Sequence, residues 1–178
     1  MSIVFRPCPI LPSEADLTRF EAWFGFALPA DYRAFLREHD GGHPVAPAEG
    51  GDDRFLGFRA EAVPPLGPDD RWIAPDDVWD VAVLHGLLRE PGEYGGLTEI
   101  IPVMRDWGHP AELLPVASQL GNAKYFLCAA GPQSGQILFP GDAAQRKMAD
   151  GRPVIAADYH RLANTFGDLL DALAWQEP

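Results

Sequence analysis

The chain has only two cysteines, Cys8 and Cys128, among 178 residues. That is too few for a disulfide framework, and they lack the close spacing of a zinc clip or a redox pair, which fits free thiols in a reducing cytosol. No apolar run reaches the roughly eighteen residues needed to cross a bilayer. Met1–Pro12 carries one arginine and an apolar stretch broken by Pro7, Pro9 and Pro12, unlike the charged lead and continuous core of a signal peptide, so the expected location is the cytoplasm. Basic residues are also scarce: 14 against 26 acidic ones, a net charge of −12. The resulting field repels phosphate backbones and anionic lipid heads, so neither direct nucleic-acid binding nor membrane binding is expected. It favours encounter with a basic partner, although solubility alone also accounts for it. Repeats of about twenty to fifty residues are missing, as are a glycine-rich phosphate loop, a nucleophile-elbow serine and a calcium loop at the required spacing.

What the chain does have is apolar surface: 47% hydrophobic and 11% aromatic residues, enough to bury a core within one domain spanning 1–178. Ser13 and Asp16 form a capping-box-like start, and Leu17, Phe20 and Phe24 recur at helical spacing through Ser13–Phe24. Pro29 suits the first position of a second helix, with Tyr32, Phe35 and Leu36 on its apolar face and Gly41–Gly42 supplying the left-handed residue that ends it near His39. Val81–Arg89 and Leu97–Asp106 show helix-like apolar spacing, with Pro102 kinking or starting the second. Leu113–Ala117, Lys124–Ala129 and Gln136–Phe139, separated by turn-rich segments, predict an antiparallel meander. A closing helix over Asn164–Trp175, capped by Asn164, presents Phe166, Leu169, Leu170 and Leu173 on one face. The expected architecture is α+β: a small antiparallel sheet flanked by N-terminal and C-terminal helices.

From Asp40 to Asp80 the composition shifts to six prolines, six glycines and ten acidic residues against three arginines. Arg54–Arg59 is apolar enough for a short strand and Val63–Pro75 reads as a proline-fixed loop. Phe55, Phe58, Trp72, Ile73 and Trp79 lie among the charges. Aromatic anchors surrounded by carboxylates suit recognition of a basic partner, and Trp72 and Trp79 tucked into the core with solvated aspartates around them is the competing reading.

Enzyme chemistry finds little to work with. Cys128 is the only thiol in a predicted strand, with His85, His109 and His160 as possible bases, but in an alternating strand it shares a face with Phe126 and packing explains it. His39 and His43 are the only closely spaced histidines, and Gly41–Gly42 ends the helix before both could share a face, so no metal site is expected. The pairs Asp52–Asp53, Asp69–Asp70 and Asp76–Asp77 lack the partly buried setting that splits carboxyl pKa values, and adjacent aspartates in a proline- and glycine-rich loop are expected to stay solvated.

The run LPADYRAFLREHDGGHP, Leu28 to Pro44, resembles the SUKH superfamily, the Smi/Knr-like proteins, in which a Leu-Pro helix start, an aromatic, a Phe-Leu pair and a Gly-Gly end recur. LLPVASQLGNAKYFLCAAGPQSGQILFPGD, Leu113 to Asp142, is similar to that family's central sheet, and ANTFGDLLDAL, Ala163 to Leu173, to its final helix. The resemblance implies an α+β fold, no cofactor and a binding role. In bacteria that role is immunity, in which the protein blocks a cognate toxin, often a nuclease. Fungal relatives act instead as regulators of cell-wall synthesis and signalling. The expectation is therefore a non-enzymatic protein that occludes a basic toxin domain, with Asp52, Asp53, Asp69, Asp70, Asp76 and Asp77 presenting charge and Trp72 and Trp79 as anchors; a regulatory scaffold without a toxin is the alternative.

Overall fold

The computed structural model describes residues 3–45, 55–59, 64–71, 73–74, 77–87 and 96–176. Helix α1, Glu14–Phe24, begins at a complete capping box: Ser13 Oγ accepts the Asp16 N–H, and the Asp16 carboxylate accepts the Ser13 N–H at 3.0 Å. It ends at Gly25, whose φ of 97° is cheap only for glycine. Leu17, Phe20 and Phe24 are buried, as the spacing predicts. Helix α2, Ala30–His39, starts one residue after Pro29 and buries Tyr32, Phe35 and Leu36.

The end of α2 departs from expectation. Asp40 itself takes the left-handed position, with φ 48°, and is buried. Gly41, with φ 76°, is left-handed as expected, and it and Gly42 also serve close packing. Gly42 bridges Leu84, a Cβ on Gly41 would stand 2.5 Å from the Gly86 nitrogen, and a Cβ on Gly86 would stand 1.9 Å from the Asp40 carbonyl oxygen. Backbone is packed on backbone here, and one Asp40 carboxylate oxygen accepts the Leu87 N–H at 2.6 Å.

Strand β1, Phe55–Arg59, and strand β2, Val78–Asp80, pair antiparallel within the acidic segment. Strand β3, Val83–Leu84, replaces the helix expected over Val81–Arg89; residues 88 and 89 lie outside the described residues. Val81, Val83, Leu84 and Leu87 are all buried, and an apolar run buried on both sides has no strand-like alternation to give it away. Helix α3, Leu97–Asp106, starts five residues before Pro102, which lies inside it and forfeits the bond to the Thr98 carbonyl.

The meander follows: β4, Leu113–Ser118; β5, Lys124–Cys128; β6, Ile137–Pro140. After β6 come helix α4, Asp142–Ala149, a 3-10 turn at Ala156–Asp158 and strand β7, Tyr159–Ala163, none of which the sequence reading anticipated. Helix α5, Phe166–Ala172, is shorter than expected, capped by Thr165 rather than Asn164, and its downstream residues form β8, Ala174–Gln176, which pairs with β1. The sheets run β3-β4-β5-β6-β7 and β2-β1-β8, all antiparallel. The architecture is α+β.

Alternation along the larger sheet divides the core. Leu114, Val116, Tyr125, Leu127 and Ile137 join Leu17, Phe24, Tyr32, Leu36 and Phe166 in the larger cluster. Leu113, Phe126, Cys128 and Leu138 face Met104 of α3 and Ala144 of α4. Each large apolar side chain fully removed from water contributes about 1.5–3 kcal/mol. Tyr32 locks the helices together: its ring meets Phe166 edge-on at 4.8 Å and its hydroxyl donates to the His85 carbonyl.

The Asp40–Gly86 contact gives a direct test of this packing. Gly86→Ala forces a methyl group onto a backbone oxygen and should destabilise the protein by more than about 3 kcal/mol in urea unfolding, whereas Gly121→Ala, with open space around it, should change stability far less.

Candidate functional site

The chain from Pro64 to Arg71 folds as a turn around the Asp70 carboxylate. Oδ2 accepts the Leu66 N–H at 3.1 Å, and Oδ1 accepts the Arg71 N–H at 3.1 Å. Oδ1 also accepts the Asp142 N–H at 2.7 Å, and Oδ2 lies 2.7 Å from His160 Nε2. Four donors saturate a carboxylate's acceptor sites. The Asp70 side chain has no exposed surface, and that of His160 has 3%.

Asp70 was expected to present charge to a partner from a solvated loop; the structure corrects this, since the carboxylate is interior. Its physical job is capping. Helix α4 begins after Gly141, which has no side chain to cap it, and Asp70 supplies the missing acceptor from a distant loop. Gly141 has to be small there: a Cβ would lie 2.8 Å from both Asp70 Oδ1 and His160 Nε2. Burial pushes the Asp70 carboxyl pKa up, but the Leu66 and Asp142 N–H groups, the His160 ring and the Arg71 N–H outweigh it and hold the carboxyl below its ordinary value.

Beside this latch lies a cleft of about 320 Å³ whose lining includes Ile73, Asp77, Trp79, Phe139, Gln145 and His160. Asp77 is exposed and accepts the Ala74 N–H at 2.9 Å, closing the turn that leads into β2. Trp79 is half-buried, its ring edge-on to Phe139 at 4.6 Å, so it is packed on the core and also open to the cleft. Its Nε1 and the Nδ1 of His160 are buried without hydrogen-bond partners among the described residues. Asp142 lines the cleft with its Oδ2 3.4 Å from Nε of Arg71, whose side chain is 89% exposed, while Asp69, 74% exposed, lies 3.8 Å from Arg146. Exposed pairs of this kind contribute at most about 1 kcal/mol each.

Of the residues singled out in the sequence, the structure therefore brings Asp70, Asp77 and Trp79 to one cleft and leaves Asp69 on the nearby surface. Asp52, Asp53, Trp72 and Asp76 lie outside the described residues. Sequence reasoning missed Phe139, Asp142 and Gln145 as neighbours of the acidic segment and considered His160 only as a base. A Gly-Asp step before an Ala-Ala-Gln-Arg-Lys stretch was the available sign of α4, but nothing local marks its cap as Asp70.

The other chemistry-bearing residues are occupied structurally. Cys128 is buried, donates to the Ala130 carbonyl, and has its thiol pKa raised by burial, opposite to the shift that activates a nucleophile. His109 Nδ1 lies 2.6 Å from the Tyr159 hydroxyl, and burial lowers its pKa to about 4. His85 Nε2 lies 2.9 Å from Ser118 Oγ. Among the described residues no group of three or more His, Cys, Asp or Glu side chains is placed to hold a metal, and no helix is long and apolar enough to cross a membrane. A larger hollow of about 600 Å³, lined by Phe20, Trp23, Leu87 and Thr98, also touches Asp16 and Arg19, which pair with each other at 3.3 Å.

The SMI1 / KNR4 family (SUKH-1) model matches residues 11–172, nearly the whole α+β framework described above. The chain belongs to the SMI1 / KNR4 family. No curated protein matches this SUKH-1 chain. A crystal structure of a protein from Pseudomonas syringae pv. tomato is similar at 20% identity, covering 79% of this chain and 76% of the other, with a TM-score of 0.42.

The latch of this SUKH-1 protein is testable through stability. Asp70→Ala strands the buried His160 Nε2 and removes the acceptor of the Leu66, Arg71 and Asp142 N–H groups, and should cost about 3 kcal/mol in urea unfolding. Because the folded carboxyl is held low, its contribution is complete above the unfolded aspartate value of about 3.9 and is lost as pH falls through the lower folded value. The stability gap between wild type and Asp70→Asn should therefore be constant near neutrality and shrink on acidification below about pH 4.

Proposed function

We propose that this SUKH-1 protein is an immunity-type binding protein that neutralises a basic, nuclease-like toxin domain by covering its active or substrate-binding surface. The observation that supports this reading best is the cleft beside β2, where Trp79 and Phe139 supply aromatic surface next to the carboxylates of Asp77 and Asp142 in a chain of net charge −12. Desolvated aromatics supply binding energy at protein interfaces, and surrounding charge sets the encounter rate and rejects wrong partners. No bond is made or broken in this role. Asp69 and Asp77 belong to the contact surface, together with Asp52, Asp53, Trp72 and Asp76 of the same acidic segment; Asp70 holds the surface together and touches no partner.

The test is affinity capture with this protein as bait at low and high salt, followed by association kinetics with the captured partner. Replacing Asp52, Asp53, Asp69, Asp76 and Asp77 together by Asn should slow association by roughly tenfold or more at low salt, with little change in thermal unfolding. A single basic partner whose activity is suppressed on binding fits the proposal. Undiminished association of the Asn variant removes the acidic segment as the site, and several weakly held, unrelated partners point to a regulatory scaffold instead.

A further inference from the structure

We infer that the cleft beside β2 is a receptor for one arginine side chain of the basic partner, and that Arg71 stands at part of that position in the unbound protein. The inference rests on the partner-binding reading and narrows it to one side-chain class.

A guanidinium group is planar, always charged and donates only, so its receptor needs several acceptors and flat apolar surface. The cleft offers both. Asp77 accepts the Ala74 N–H through Oδ2, and among the described residues Asp142 has the exposed Arg71 side chain beside its Oδ2. Trp79 and Phe139 supply aromatic surface, against which a cation is favourably placed.

His160 adds an independent sign of a missing ligand. Its side chain is 3% exposed, it lines the cleft, and its Nε2 is committed to Asp70 Oδ2. Its Nδ1 is buried and has no hydrogen-bond partner among the described residues. Buried polar atoms are rarely left so, which points to a ligand in the cleft.

Arg71 shows that the position suits a guanidinium. Its Nε is 3.4 Å from Asp142 Oδ2, yet its side chain is 89% exposed, so displacement by an incoming arginine costs little. The backbone need not follow, because the Arg71 N–H stays on Asp70 Oδ1.

The test titrates acetyl-Gly-Arg-Gly-amide into the full chain and follows the Trp79 indole N–H resonance, assigned with Trp79→Phe. The expected result is a saturable shift, weakened about tenfold in the Asp77→Asn, Asp142→Asn variant and strengthened in Arg71→Ala. The matching citrulline peptide, of the same shape without charge, should produce no saturable shift, and the lysine peptide should bind more weakly than the arginine peptide. Absence of a saturable shift in both wild type and Arg71→Ala, equal binding of citrulline, or lysine binding as well as arginine would overturn the inference. The probe needs no natural partner. A silent cleft in a protein that still captures a basic partner refutes the arginine receptor alone, and a responsive cleft without a captured partner upholds the receptor and counts against the toxin reading.

Discussion

Carboxylates accepting backbone N–H groups hold together the parts of this protein that its helices and sheets do not reach. In a chain with 18 prolines and 18 glycines, turns and loops among the described residues leave backbone donors without ladder partners, and other acceptors take them up. Side chains of Asp and Glu supply acceptors across the whole molecule. Asp31 of α2 accepts the Gly167 N–H at the start of α5, Glu21 accepts Leu28 before α2, and Asp80 accepts Leu120 in the β4–β5 turn. Asp40 accepts Leu87, and Asp70 ties the Pro64–Arg71 turn to α4 and β7. An excess of acidic residues thus has an architectural use, separate from solubility and from any partner.

That use divides the acidic segment into two populations. Asp40 and Asp70 have buried side chains and shape the fold, and Asp69 and Asp77 remain outside on the surface those residues hold in place. The cleft exists because the two kinds cooperate: Asp70 fixes the turn that carries Arg71, and Gly141 leaves the room in which Asp70 and His160 meet. A cleft built this way is pre-ordered on the side facing β6 and α4, which would lower the entropy cost of the proposed partner contact. SUKH-1 membership is what the family match shows, and the cleft is the surface on which the proposed partner contact rests.

Much of the framework was legible because its signals are local. The Ser13–Asp16 capping box, the apolar faces of α1 and α2, and the alternating segments that became β4, β5 and β6 each depend on residues close in sequence. The misreadings share the opposite property. Val81–Leu87 looks helical until one knows that it is covered on both sides, and Leu173–Trp175 looks like the continuation of α5 until β1 is there to pair with it. Asp70 is the sharpest case. Within its own loop it is one of two adjacent aspartates between a proline and an arginine; only Asp142 and His160, far along the chain, turn it into an interior cap. Trp79 is neither wholly core nor wholly exposed, since it packs on Phe139 and also lines the cleft.

The most direct measurement is a carbon-detected titration of the Asp70 carboxyl, followed together with the amide resonances of Leu66 and Asp142. The account predicts that Asp70 stays ionised below the ordinary aspartate value of about 3.9, and that both amides shift with its protonation. A carboxyl that titrates at or above the ordinary value, with the two amides indifferent to it, would contradict the interior latch and the ordered surface built on it.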